Sequence, residues 1–195
     1  MATYASIKYD MNLSSSATGA GAMTLLSTQT ASSDSTITFD SGIDSTYKEY
    51  IFKYYDVHPS AGVRLAVNFR DGSTAYDATK TSTFFEVYQN EAGSSTSLAY
   101  VTDYDLAQST AVQSIGYIGN ENDESCAGFL HLYDPSSTTF VKHYIATTPG
   151  YHGSNLALTS YVAGYCNVTD AIDGVQFSMT SGNIDSGTFK MYGVS

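Results

Sequence analysis

The side chains able to do acid–base, nucleophilic or metal chemistry are few and scattered in this chain. His58, His131, His143 and His152 lie far apart in sequence, and Cys126 and Cys166 form no Cys-x-x-Cys pair. Zinc sites need three or four converging ligands, so this spacing argues against a metal. His131 and His143 flank the turn Asp134–Ser137 and would share a sheet face in the right register. Two imidazoles without a third ligand are ordinary strand residues. The loop Gly119-Asn120-Glu121-Asn122-Asp123-Glu124 offers oxygen ligands to calcium but lacks the spacing of an EF-hand, and reads as a solvated loop. Asp103 and Asp105 stand two apart on one face of an expected strand, whereas a glycosidase pair faces itself across a cleft. No Gly-x-Ser-x-Gly elbow is present, and Gly19-Ala20-Gly21-Ala22 follows no strand and opens no helix, unlike a phosphate-binding loop. The expectation is no enzyme, no catalytic residue, no metal and no cofactor.

Glycan binding has more support, because tyrosine rings stack on pyranose faces. Tyr151, His152 and Tyr161, or Tyr54 and Tyr55, are the candidates. Against this, tryptophan is absent although its larger face suits such stacking. Tyrosine also fits strands and subunit interfaces, where its ring is buried and its hydroxyl stays paired. Interface or sheet filler is the plainer role for most of the 17 tyrosines.

Charge narrows the partners. The formal net charge is −11, and no Lys or Arg occurs between Lys80 and Lys142, where eight Asp and Glu fall. Nucleic acids and anionic membranes select clustered cations, so neither is an expected partner. Met1–Asn12 has no basic stretch followed by an apolar core, and no apolar run reaches membrane-spanning length, which predicts assembly in a cytosol or exit by a route that needs no signal; the two cysteines fit the first. Cys126 shares strand parity with Leu130 and Leu132, and Cys166 with Leu156, Leu158 and Val162. Both are expected as small buried thiols rather than a disulfide.

The elements that position these residues are strands. The chain is rich in Tyr, Phe, Thr and Val, with only 3 Pro, and no window sustains a helical period. Val63-Leu65-Val67-Phe69 alternates with Arg64-Ala66-Asn68-Arg70, and Val175-Phe177-Met179 with Gln176-Ser178-Thr180, placing one face on a core and one toward water. Further strands are expected over 36–40, 50–57, 83–89, 98–104, 112–118, 125–133, 140–147, 156–166 and 188–192. Turn residues separate them, as in Arg70-Asp71-Gly72 and Asp134-Pro135-Ser136. Both faces of 50–57 are apolar or aromatic, which suggests a central or covered strand. Ser41-Gly42-Ile43-Asp44 echoes Ser181-Gly182-Asn183-Ile184-Asp185, the same turn before a strand used twice. The expected fold is all-β: an antiparallel β-sandwich, jelly-roll-like, with an extended N-terminal arm.

The arm is drawn at residues 1–34 and the sandwich at 35–195. Ser14–Ala22 and Ser27–Ser35 are too poor in large apolar side chains to offset their own ordering entropy. An arm of this kind is held by a neighbouring molecule or lies over its own sheet. Its larger side chains, Tyr4, Ile7, Tyr9, Met11 and Leu13, are the expected partner contacts.

The stretch from Phe39-Asp40-Ser41-Gly42 through Tyr50-Ile51-Phe52 to Leu65-Ala66-Val67-Asn68-Phe69-Arg70 resembles a module of tailed-bacteriophage structural proteins. The ending Ser181-Gly182-Asn183-Ile184-Asp185-Ser186-Gly187-Thr188-Phe189-Lys190-Met191-Tyr192-Gly193 does so too, and Asp134-Pro135-Ser136-Ser137-Thr138-Thr139-Phe140 looks like marine-phage versions. The resemblance implies a non-enzymatic virion protein assembled in the host cytoplasm and exposed on the particle. A head decoration or cement protein, or a short fibre-like appendage, is the implied role, acting through self-association and shell contacts. The implied partners are major capsid or tail proteins and further copies of the chain, trimers included. The alternative is a tail-associated module that binds a receptor or glycan.

Overall fold

The computed structural model describes residues 22–195. Tyr4, Ile7, Tyr9, Met11 and Leu13 therefore lie outside the described residues. Twelve strands follow one another: β1 (Met23–Asp34), β2 (Thr36–Phe39), β3 (Glu49–Pro59), β4 (Val63–Arg70), β5 (Lys80–Asn90) and β6 (Thr96–Tyr100), then β7 (Gln113–Ile118), β8 (Cys126–Tyr133), β9 (Lys142–His152), β10 (Leu156–Cys166), β11 (Gly174–Met179) and β12 (Ile184–Val194). All pairings are antiparallel.

The strands form an eight-stranded sheet, β1-β12-β3-β8-β9-β10-β5-β6, and a four-stranded sheet, β2-β11-β4-β7. Set aside the hairpins β5–β6 and β9–β10, and β1-β12-β3-β8 faces β2-β11-β4-β7. That is jelly-roll order, two sheets of four in which every sequential step crosses between the sheets except β4 to β7. The two hairpins are insertions, and both extend the larger sheet at the β8 edge. A sheet twice as wide as its partner leaves much of its inner face to be covered by something else. The connection between β6 and β7 does this, running along β5 through Val101 N–Phe84 O, Ser82 N–Leu106 O and the Lys80–Ser109 bridge.

The core sits between the sheets and is aromatic. Phe39 and Phe52 meet edge-on at 5.3 Å between centroids, while Phe177 and Phe189 are tilted by 43° at 5.2 Å, with Tyr54 against both of the latter. Edge-to-face contacts at this spacing add to the burial of these large rings. The echoed turn is real. Gly42 and Gly182 both take left-handed φ, at 80° and 74°, and their turns precede β3 and β12, which pair with each other.

Two expectations need correction. Met23–Asp34, on the arm side of the boundary at Ser35, is β1, paired along its length with β12. Its register shifts between Leu25 and Ser27, so its side chains change parity midway and show no clean alternation. The Arg64-Ala66-Asn68 side of β4 is not a water face: Ala66 is fully buried and Asn68 nearly so. The β6–β7 connection covers it, with Tyr104 under the Arg64 guanidinium and Thr110 O accepting from Asn68 Nδ2.

Candidate functional site

The outer face of the large sheet is the outstanding surface. Period-two alternation sends Leu130, Leu132, Tyr144, Ala146, Phe84 and Val162 inward, where all are buried, and their neighbours outward. Register then aligns the outward residues into rows across the strands. One row runs Lys53–Phe129–Thr147–Tyr161–Phe85–Tyr100 from β3 to β6. The next runs Leu25–Tyr192–Ile51–His131–Ile145–Ala163–Thr83 from β1 to β5. Phe85 and Tyr161 stack at 4.9 Å with their planes 13° apart. Of the eleven exposed large hydrophobic side chains among the described residues, all but Val112 and Phe140 stand on this face.

Charge is arranged the other way round. On β8, β9, β10, β5 and β6 the only Asp, Glu, Lys or Arg are Lys80, Glu86 and Lys142. All three point inward. Lys80 and Lys142 are fully buried beside Cys166, which pairs with each of them across its two neighbouring strands. The Lys80 ammonium donates to Asn68 Oδ1 and to Ala78 O at 2.7 Å. Lys142 donates to Ser137 O, Val168 O and Asp170 O at 3.2, 2.7 and 2.5 Å. Burial lowers both amines, Lys80 to about 8, with Cys166 and nearby carboxylates opposing it.

Glu86 belongs to a clamp between the sheets. Arg64 of β4 binds it in a fork, Nη1–Oε1 2.7 Å and Nη2–Oε2 3.2 Å, and Ser160 Oγ donates to Oε1 at 2.7 Å. The guanidinium lies 3.6 Å from the centroid of Tyr104. Both side chains are close to buried, 11% and 13% exposed. Fork geometry, a third donor and an aromatic lid satisfy this pair, so it is a structural rivet with no free lone pair aimed at a ligand.

The residues weighed for chemistry are not brought together. His131 and His143 do share the outer face, but His131 bonds Glu49 Oε1 through Nδ1 and packs on Phe129 and Tyr133. His58 Nδ1 contacts Glu124 O at 2.7 Å, and His152 stacks on Tyr117 at 4.2 Å with its basicity lowered by burial and by Arg64. Among the described residues no three His, Cys, Asp or Glu side chains stand close enough to hold a metal. Asp103 and Asp105 are not on a strand, because β6 stops at Tyr100; Asp105 instead accepts from Tyr100 Oη at 2.5 Å. In the acidic loop Glu124 is buried rather than solvated, its Oε2 accepting from Glu121 N at 2.7 Å. Cys126 and Cys166 are free and buried, and burial pushes both thiols up, Cys166 to about 12.

Of the tyrosines weighed for glycans, Tyr54 is in the core and Tyr161 is in the stacked pair. Tyr151 edges a shallow trough of about 660 Å³ floored by Ala127, Pro149, Gly150 and Ala157, with Gln89 and Glu91 opposite. Its Oη contacts Asn155 Oδ1 at 3.2 Å, and the Glu91 carboxylate raises its phenol pKa. The sequence pointed to these tyrosines one at a time; the uncharged face they belong to appears only when the register is known.

Compared with known protein families, with curated proteins and with solved structures, the chain has no match.

Proposed function

We propose that this chain is a non-enzymatic structural protein of a tailed-phage particle, exposed on the exterior as a head decoration or cement protein or a short appendage. The observation that carries the reading is the outer face of the large sheet. It gathers aromatic and aliphatic side chains over five strands without a formal charge, in a chain whose net charge is −11. Contiguous apolar surface of this size on a soluble protein marks an interaction site. The jelly-roll order and the phage-like motifs at 39–70 and 181–193 support the same reading. The mechanism is burial of apolar area against neighbouring proteins, which stabilises an assembly in proportion to the area removed from water.

Mass spectrometry of purified particles, with copy number, tests it. Hundreds of copies per particle assign the chain to the head. A few to a few tens assign it to the tail or a vertex, and absence from particles overturns the proposal. A second reading, a glycan-binding module of the tail, is favoured by the trough beside Tyr151, where a ring edge and small residues meet amide and carboxylate groups. A glycan array with no signal above background removes it.

A further inference from the structure

From the relief and neutrality of the outer face, we infer that its β8-β9-β10-β5-β6 half is covered by a second copy of this chain, packed face to face about a two-fold axis. The inference rests on the structural reading above and names the partner for that surface. Three observations carry it.

The first is charge. Two bodies of net charge −11 repel, and repulsion is least where neither presents a charge. The five strands of this half carry no outward Asp, Glu, Lys or Arg, whereas Glu49, Lys53 and Lys190 stand outward on β3 and β12 themselves. The nearest carboxylates are Glu91, past the end of β5 in the trough lining, and Asp105 at Tyr100. A strongly charged partner would be met by charges of the opposite sign, and this half offers none on its strands. A neutral face is suited to a neutral face, and the chain's own is the one present at equal concentration.

The second is area. Five strands about 4.8 Å apart, with the longest rising about 3.4 Å per residue, span on the order of 800 Å². A stable interface buries about 800 Å² on each partner, so this half alone suffices.

The third is shape. The row Phe129–Thr147–Tyr161–Phe85–Tyr100 forms a ridge of rings. Depressions flank it on both sides: the trough of about 660 Å³ over Ala127, Pro149 and Ala157, and one of about 500 Å³ over Ala163, Gly164 and Thr83. A two-fold axis lying in the interface between ridge and trough seats each copy's ridge in the other's trough. An isologous contact of this kind closes on itself as a dimer and leaves no unsatisfied copy of the patch.

Sedimentation equilibrium of the full chain at micromolar concentration is the test, with Phe85→Glu and Ile145→Glu on the face and Val112→Glu off it. The expected result is a mass twice 20.9 kDa for the parent and for Val112→Glu, and a dissociation constant at least 100-fold weaker for both face variants. All three sites are partly exposed, and urea midpoints confirm that each variant folds. A parent that stays monomeric overturns the inference, and the face then belongs to another protein or to residues 1–21. A dimer indifferent to both face variants overturns it too. Neither outcome touches the particle copy number, so failure here and failure of the virion reading are told apart.

Discussion

Lys80 gives the sharpest test of the interior. Its ammonium is fully buried, held by Asn68 and by the Ala78 carbonyl, and its pKa falls from 10.5 to about 8. The sign follows from linkage. Between about 8 and 10.5 the unfolded chain holds a proton on this amine that the folded chain has lost, so stability rises with pH across that window. The gap is worth about 3.4 kcal/mol at 1.36 kcal/mol per pH unit, and about 2 kcal/mol of it is recovered between pH 6.5 and 9.5. Cys126 and Cys166 act oppositely, since their folded pKa values are raised and unfolding releases thiol protons above pH 9. Wild type alone therefore mixes several titrations.

Lys80→Met isolates the effect. Both proteins carry the same thiols and tyrosines, so their stability difference reports chiefly on this amine. Urea unfolding followed by tyrosine fluorescence at pH 6.5 and 9.5 is expected to show wild type gaining about 2 kcal/mol relative to the variant. The offset at pH 6.5 is not diagnostic, because methionine relieves a buried charge but takes a donor from Asn68 Oδ1, which keeps Phe69 N, and from Ala78 O. Only the change with pH is. A difference constant within about 0.5 kcal/mol, beyond the usual reading error of such experiments, refutes the buried, depressed amine.

Three further outcomes are expected. Arg64→Met leaves Glu86 buried and unpaired and costs about 3 kcal/mol or more, whereas Arg64→Met with Glu86→Leu costs less than the single change; urea titrations of the two decide it. Gly116→Ala sets a methyl 2.5 Å from Thr148 Cγ2, where β7 crosses close to β9, and is expected to lose about 1–3 kcal/mol, read as a fall in Tm that Thr148→Ser partly restores. Both thiols are expected to ignore Ellman's reagent at pH 8 until urea unfolds the chain, and any native-state reaction would contradict their burial.

Strand existence was legible wherever one face was buried. β4 and β10 match their sequence patterns end to end, and every other strand but β1 overlaps its expected stretch. β1 was hidden by its own register shift and by a Thr/Ser-rich make-up whose stability comes from pairing with β12. Sidedness was harder. Phe84 and Phe85 are adjacent and identical, yet one is buried against Tyr104 and the other stacks outside on Tyr161. Alternation shows that they face opposite ways and not which of them faces water. The inserted hairpins decide that, by extending the sheet beyond its partner. The inward charges were unreadable for a related reason: beside the local Ala78 and Ser137 carbonyls, Lys80, Glu86 and Lys142 depend on Asn68, Arg64 and the Val168 and Asp170 carbonyls, which only the fold brings to them.

This inversion also separates two ways in which the face could be used. If apolar area drives association, added salt tightens it, because screening removes the repulsion between two acidic bodies and leaves the burial of Phe85, Tyr161 and Ile145 untouched. If instead Lys53 and Lys190 on the charged half carry the contact, added salt weakens it, since their attraction to carboxylates is what screening removes. Sedimentation of the full chain between low and physiological ionic strength, where the Debye length shortens to about 8 Å, is expected to show a falling dissociation constant. A constant that rises with salt would move the interface to the β1-β12-β3 half and leave the neutral half without an occupant. Burying three charges inside these strands while baring rings outside is costly for a lone chain, and a salt response of the expected sign would show that the outside is not left bare.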